Sequence, residues 1–272
     1  MAIITISRGT FSGGKELAEC VADKLGYRCI ARSVLVEAAS DYGVSLDKLA
    51  HAIDEKPGIL EGMRLDRVHY LAYIKAELTK EARDEKLVYH GHAGHLLLKE
   101  VPHILRVRVI ANMDFRIETA MKRRNLSERE ALAFIGKTDS NREKWTKFLY
   151  HVDLQDPHLY DIIIHLDQIT IYGACDIVCT AAGFPEFQMT PESQKAISNM
   201  MLAAEIRAKI ASDGHITDDA IEITACDGVV NIGGSVHSLA DADRVRELVR
   251  QQPGVKEIES HLRAPITTRV GW

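Results

Sequence analysis

Residues 6–19, ISRGTFSGGKELAE, pose the question on which the architecture turns: is this a phosphate-binding loop without its usual last residue? Gly9, Gly14 and Lys15 fit the pattern Gly-x4-Gly-Lys-(Ser/Thr), while Glu16 stands where the hydroxyl residue belongs. The letters alone are weak evidence, because glycine is common enough for this spacing to arise by chance. Position strengthens them. The loop follows a β-branched run, Ile3 to Ser7, and opens a helical pattern through Ala18, Val21, Ala22 and Leu25. In that setting glycines let successive backbone N–H groups converge on an anion, which faces the positive end of the helix. Gly9, Ser12, Gly13, Gly14, Lys15 and Glu16 are therefore the candidate binders of nucleotide phosphates. Lys15 can offset charge as it develops on a transferring phosphoryl group. The missing hydroxyl ordinarily holds Mg2+; Glu16 offers a hard oxygen in its place, favourable beside phosphates only with the metal between them, and Ser12, Thr10 and Ser7 are alternative hydroxyls.

The same alternation of strand and helix continues downstream. Candidate strands are Ile3 to Ser7, Tyr27 to Ile30, Leu87 to His90, Ile104 to Ala111 and Asp161 to Leu166. Val68, Leu71, Ile74, Leu78 and Ala82 repeat at helical spacing between them. This predicts an α/β fold, a parallel sheet with helices on both faces. At FPEFQMTPESQ (184–194) two prolines and several polar residues interrupt the periodicity, as a linker would. A different rhythm follows: a helix from about Ser198 to Ser212, a strand IEITA, the turn Asp227-Gly228, a strand VVNIGGSV, a helix from about Leu239 to Gln251 and a strand KEIESHL. The expected domains are thus 1–190 and a small α/β module at 195–265. Each is expected to own a core, so that a chain ending near Thr190 folds and keeps its ATP affinity.

Composition narrows the function classes. The chain has 272 residues, 46% apolar and 27% charged, with a formal net charge of −5. Its basic residues are scattered rather than gathered into a stripe, which argues against nucleic acid as a partner. No run of 18 apolar residues occurs and the first residues carry no basic, apolar leader pattern, so a cytoplasmic location is expected. Five cysteines without a CxxC pair suit reduced, mostly buried thiols; Cys175 and Cys179 could share a helix face, but two thiols make no zinc site.

Phosphoryl transfer needs cations around the bridging phosphates and exclusion of water. Arg123, Arg124 and Arg129 precede Lys137, Asp139 and Arg142. A spacing of three puts Asp139 and Arg142 on one helix face, where the carboxylate can orient the guanidinium; a solvated surface ion pair is the alternative. His92 and His95 in HGHAGH lack a third metal ligand at a recognisable interval, and no residue set is expected to hold a metal unaided. Tyr160 before a buried strand, and Trp145, Phe148 and Tyr150, are expected to be structural.

ITISRGTFSGGKELAECVADKLG resembles the opening of the cytidylate kinase-like family, a branch of the P-loop nucleoside-monophosphate kinases whose loop typically reads Ser-Gly-Gly, a basic residue, then Glu. LVYHGHAGHLL, RVRVIANMDFRIETAMKRRNLS, GKTDSNREKW and DPHLYDIIIHLD resemble its later strands and lid in the same order, and the likeness spans about residues 1–183. The resemblance makes Glu16 a family trait. It implies ATP and Mg2+ as cofactors, Lys15, Arg124, Asp139 and Arg142 as catalytic residues, and His92 and Lys137 as substrate-binding residues. Two departures fall on the acceptor side: the family's Gly-Arg-Gly turn is Gly91-His92-Ala93 here, and Ala31 replaces a frequent Asp. A histidine is only partly charged at neutral pH and cannot grip a phosphate bidentately.

Residues 198–264 resemble a BON domain, through DGVVNIGGSV with Gly234 and PGVKEIESHL with Gly254. Backbone geometry also accounts for both glycines. That resemblance implies a membrane or protein partner for the module. The expected function is transfer of the ATP γ-phosphoryl group to a small acceptor, a pyrimidine nucleoside monophosphate such as CMP or dCMP. The rival is a nucleotide-binding sensor with a lost acceptor site that signals through the module. The intact donor loop favours the first, and His92 and Ala31 favour the second.

Overall fold

The computed structural model describes residues 2–31, 61–84, 86–91, 93–216 and 220–264. Five parallel strands form the main sheet: β1 (Ile3–Arg8), β2 (Arg28–Ala31), β3 (Leu87–His90), β4 (Ile104–Ala111) and β5 (Ile162–Leu166), in the order β2-β3-β1-β4-β5. The β-branched runs at 3–7, 87–90 and 104–111 are these strands, because a sheet buried on both faces is best filled by Ile and Val on successive residues. Side chains of β1 alternate between two cores. Ile4 and Ile6 pack with Leu17, Ala18 and Val21 of α1 (Gly14–Leu25) and with Ala174 and Val178 of α6 (Ile171–Ala182). Ile3 points the other way, to the core shared with Tyr73, Ile74 and Leu78 of α2 (Glu61–Arg83).

Consecutive elements place β3 and β4 on opposite sides of β1, so the chain switches direction across the sheet at β1. In open α/β sheets that is where a crevice opens beyond the carboxyl ends of the strands. Three further helices border this end: α3 (Gly94–Leu97), α4 (Met113–Arg124) and α5 (Glu128–Tyr150).

α7 (Pro191–Ser212) begins earlier than the expected start near Ser198. Thr190 caps it by accepting the Ser193 N–H at 3.2 Å, and Pro191 sits at the first helical position, where its missing N–H costs nothing. The proline that looked like an interruption is a helix start. Along α7, Ile197, Met200, Ala204 and Ala208 enter the core against α2, while Leu202, Ile206 and Ile210 enter a second core. That second core lies under a three-stranded sheet of β6 (Ile221–Cys226), β7 (Val229–Gly234) and β8 (Glu257–Ser260), closed by Val245 and Val249 of α8 (Leu239–Arg250). β6 and β7 are antiparallel and are joined at Asp227 and Gly228, which both have positive φ (53° and 88°), as a tight hairpin turn requires. β8 runs parallel to β7. Among the described residues no helix is long and apolar enough to cross a membrane.

Candidate active site

Residues 9–13 leave the end of β1 and turn into the first turn of α1. Gly13 holds φ 82°, and a Cβ there would also come within 2.8 Å of Leu166, so glycine is required on both counts. The Ser12 side chain is turned inward: its hydroxyl donates to the carbonyls of Gly9 (3.0 Å) and Val109 (3.4 Å). The hydroxyl thus ties the loop to β4.

α4 and α5 close over the loop. Ser127 and Glu130 form a capping box that starts α5 immediately after α4 ends, which fixes the two helices as a hairpin. Phe11, held at φ 59°, packs its ring 6.0 Å from Phe134 and joins the small apolar cluster of Ala120, Ala131 and Ile135. The polar clamp is stronger. Asp139 accepts the Thr10 N–H (3.0 Å) and the Thr10 hydroxyl (2.6 Å), and its other oxygen pairs with Arg116. Arg116 donates through Nε to the Thr10 carbonyl at 2.8 Å, and Arg142 donates to the Thr10 hydroxyl oxygen at 3.1 Å. Asp139 and Arg142 therefore meet at Thr10, and the guanidinium that Asp139 orients is that of Arg116.

Between loop and hairpin lies a cavity of about 480 Å3, inside the range of roughly 300–1,000 Å3 typical of small-ligand pockets. Among the described residues its walls carry Arg8, Arg123, Arg124, Lys137 and Arg142, against one carboxylate, Glu16. Arg124 lies over the Phe134 ring at 4.5 Å, so its charge is positioned by an aromatic face. Glu16 pairs with Arg123. Lys15 is half-exposed in the first turn of α1 and pairs with Glu19 at 3.5 Å. A surface pair of this kind is weak enough to release the ammonium to a ligand.

The structure brings Gly9, Ser12, Gly13, Glu16, Arg124, Lys137 and Arg142 to one cavity, with Asp139 behind the loop; Gly14 and Lys15 are in the first turn of α1 and do not line it. His92 lies outside the described residues, and Ala31 ends β2 opposite His90 of β3. Trp145 is buried, as expected, and Tyr160 hydrogen-bonds the Leu154 carbonyl at 2.9 Å. Phe148 is exposed, its ring meeting the edge of Trp145. Asp161 forms a two-bond pair with Arg106 at the start of the β4–β5 ladder. Arg116 and Arg8 were not among the expected site residues; Arg116 sits 106 residues from the loop carbonyl it holds, beyond any local pattern. Among the described residues no group of three or more His, Cys, Asp or Glu side chains could hold a metal ion.

Comparison with known proteins agrees with this geometry. The family model described as the cytidylate kinase-like family matches residues 3–168, and the BON domain model matches residues 200–265. The cytidylate kinase of Methanocaldococcus jannaschii is 26% identical over 182 residues, covering 66% of this chain and 96% of that protein. Osmotically-inducible protein Y of Escherichia coli is 32% identical over 60 residues, covering 22% of this chain and 30% of that protein. In fold, the chain is similar to a protein of uncharacterized function from Eubacterium ventriosum, with a TM-score of 0.51 and 18% identity, covering 66% of this chain and 98% of the other.

Proposed function

This chain belongs to the cytidylate kinase-like family, and on that premise we propose that it is an ATP-dependent phosphotransferase whose acceptor is a pyrimidine nucleoside monophosphate, CMP or dCMP. The observation that carries this reading is the cavity between the glycine loop and the α4–α5 hairpin, where among the described residues five cationic side chains face one carboxylate. Such a site fits a polyphosphate far better than a neutral ligand.

Each residue then has a role. The amides of residues 9–14 and the N-terminal end of α1 receive the donor phosphates. Lys15 leaves Glu19 and follows the moving phosphoryl group. Arg124, over the Phe134 ring, and Arg142, bonded to Thr10, are held in the wall, so their charge meets the charge that spreads over the equatorial oxygens with little reorganisation. The exposed Lys137 adds a third cation there. Asp139 and Arg116 act by positioning: they hold Thr10, and with it the loop.

Mg2+, when bound with ATP, supplies a counter-ion for the β- and γ-phosphates. Glu16 fits that need. Its Oε1 is shielded from solvent and taken up by the Arg123 ion pair, which leaves Oε2 as the carboxylate oxygen for a cation. A hard carboxylate with a spare lone pair beside the phosphates is what Mg2+ takes from a protein when the nucleotide and water provide the other ligands. The C-terminal module contributes none of its described residues to the cavity lining. Its role in this reading is to engage a membrane or protein partner while the chemistry proceeds in the cytoplasm, where ATP is available.

The test is ADP release from Mg2+·ATP by the purified chain with CMP, dCMP, UMP, AMP and GMP in turn. Turnover is expected with CMP or dCMP above the rest. ATP binding without turnover on any monophosphate would replace this reading with the nucleotide sensor.

A further inference from the structure

Arg8 is the last residue of β1, and its side chain crosses the first turn of α1. A Cβ added at Gly14 would lie 2.5–3.1 Å from the Cβ, Cγ and Cδ of Arg8, so the absence of a side chain at Gly14 is what lets the stem pass. The guanidinium reaches the cavity wall. No described carboxylate pairs with it. Burial disfavours its charged form; Tyr89 acts the other way, Arg123 adds a like charge, and Cys29 and Glu19 oppose it more weakly. A cation set in a wall with no counter-charge is costly, and the usual reason for keeping one is an anion that arrives from outside.

His90 supplies a second, independent sign. It is the last residue of β3 and only 5% exposed, and its Nδ1 has no hydrogen-bond partner. In register it lies beside Ile6, two residues before Arg8 on the same face of β1. Its ring feels both Arg8 and Lys15. Ala31, its neighbour on β2, brings no carboxylate to satisfy either group. A buried polar atom left without a partner calls for a ligand or ordered water. The cations contributed by α4 and α5 lie toward β4, whereas His90 lies on the β3 side, next to the turn at Gly91 and Ala93.

We propose that Arg8 and His90 form an anion subsite distinct from the donor loop, which takes the phosphate of the acceptor. This rests on the kinase reading for the word acceptor only; the subsite itself rests on Arg8 and His90. It would provide, from the end of β1, the forked cation that the turn at 91–93 lacks. Arg8 would grip two phosphate oxygens and the imidazole would give a third bond.

The test uses the full chain with its donor side filled by Mg2+ and the non-hydrolysable analogue AMP-PNP, and inorganic phosphate as the probe, titrated by calorimetry and followed by 31P line width. The wild type is expected to bind one phosphate. Arg8→Met should weaken phosphate at least 10-fold and His90→Phe 3- to 10-fold, with AMP-PNP weakened by a clearly smaller factor than phosphate in each. Arg8→Lys, which keeps the charge but loses the fork, should fall between and serves as the test if Arg8→Met does not fold. Because Arg8→Met removes an unpaired cation, its Tm should rise in the absence of ligand. Phosphate affinity unchanged in these variants, or AMP-PNP weakened as much as phosphate, overturns the subsite. A separate titration with CMP separates the two readings. Phosphate bound through Arg8 with no CMP binding removes the CMP assignment and leaves the subsite. CMP phosphorylated equally by wild type and Arg8→Met removes the subsite and leaves the kinase.

Discussion

Asp139 of α5 holds Thr10 of the glycine loop through both of its donors, the backbone N–H at 3.0 Å and the hydroxyl at 2.6 Å. Because Arg116 pairs with the second carboxylate oxygen and donates to the Thr10 carbonyl, hairpin and loop are tied through one network. Asp139→Asn keeps the shape but removes the charge, leaving Arg116 without its counter-ion. Hydrogen bonds to charged groups contribute about 1.5–3 kcal/mol each, so turnover with ATP and CMP should fall roughly 10- to 100-fold. A steady-state assay decides: full activity in Asp139→Asn would reduce the clamp to a surface contact.

Lys15→Ala should weaken ATP binding and abolish transfer, with a loss in kcat of at least about 100-fold, the scale seen when one electrostatic stabiliser is removed. Glu19→Ala should do neither, because Lys15 must leave Glu19 to act. Parallel titration and turnover measurements on both variants check this, and wild-type behaviour of Lys15→Ala removes the phosphate-loop assignment.

Arg142 is fixed through the Thr10 hydroxyl at 3.1 Å and lines the cavity. If its charge matters most when charge develops on the moving group, Arg142→Ala lowers kcat far more than it raises the Kd of ATP. Equal losses would assign it to ground-state binding.

Much of this site was legible in the sequence, and the exceptions have physical causes. The strands at Leu87–His90 and Ile104–Ala111 stood out because buried parallel strands leave dense β-branched runs. The loop at Gly9–Lys15 was visible because its glycines and its place between strand and helix agree. Arg116 was not, since its partners Thr10 and Asp139 are brought to it only by the docking of α4 and α5. The early start of α7 could have been read from Thr190-Pro191, an N-cap followed by proline at the first helical position, but a proline beside polar residues equally describes a linker.

Stability should fall in mild acid through two buried histidines. Burial, reinforced by Arg106 and Arg108, pushes the His95 imidazole down to about 4, and burial with Arg8 and Lys15 does the same for His90, also to about 4. Above the ordinary value near 6.5 both are neutral folded or unfolded, and they impose no pH dependence. Between 6.5 and 4 the unfolded chain takes up protons that the folded chain refuses, so stability falls as pH falls through this window. For His95, which is 3% exposed, the share lost by pH 5 is roughly 2 kcal/mol. His95→Phe keeps a ring against Tyr160 (4.9 Å between centroids) and should flatten part of the slope, leaving the His90 share. Thermal melts of both proteins at pH 7.5 and pH 5 measure this; equal drops in Tm would show that His95 does not carry it.

The final prediction concerns α7, which belongs to two cores at once. A chain ending at Thr190 would strip Ile197, Met200, Ala204, Ala208 and Ala211 from the face of α2, where they are buried to within 6% of full. Ile197 and Met200 alone contribute about 1.5–3 kcal/mol each. Their sum, roughly 3–6 kcal/mol, reaches the lower end of a domain's stability, roughly 5–15 kcal/mol. Such a chain should therefore melt without cooperativity or be insoluble, contrary to the sequence-based expectation that a chain ending near Thr190 folds alone. A chain ending after Ser212 keeps that core but exposes Leu202, Ile206 and Ile210, which belong to the core under β6 and β7. Replacing those three with Gln or Lys in the longer truncation should give a soluble protein with cooperative melting and unchanged ATP affinity, since no described residue beyond Arg142 lines the cavity. Circular dichroism melts and ATP titration of the two truncations settle the matter. If the chain ending at Thr190 melts as sharply and at the same temperature as the full protein, α7 is dispensable to the kinase core and the coupling between the two units is incidental.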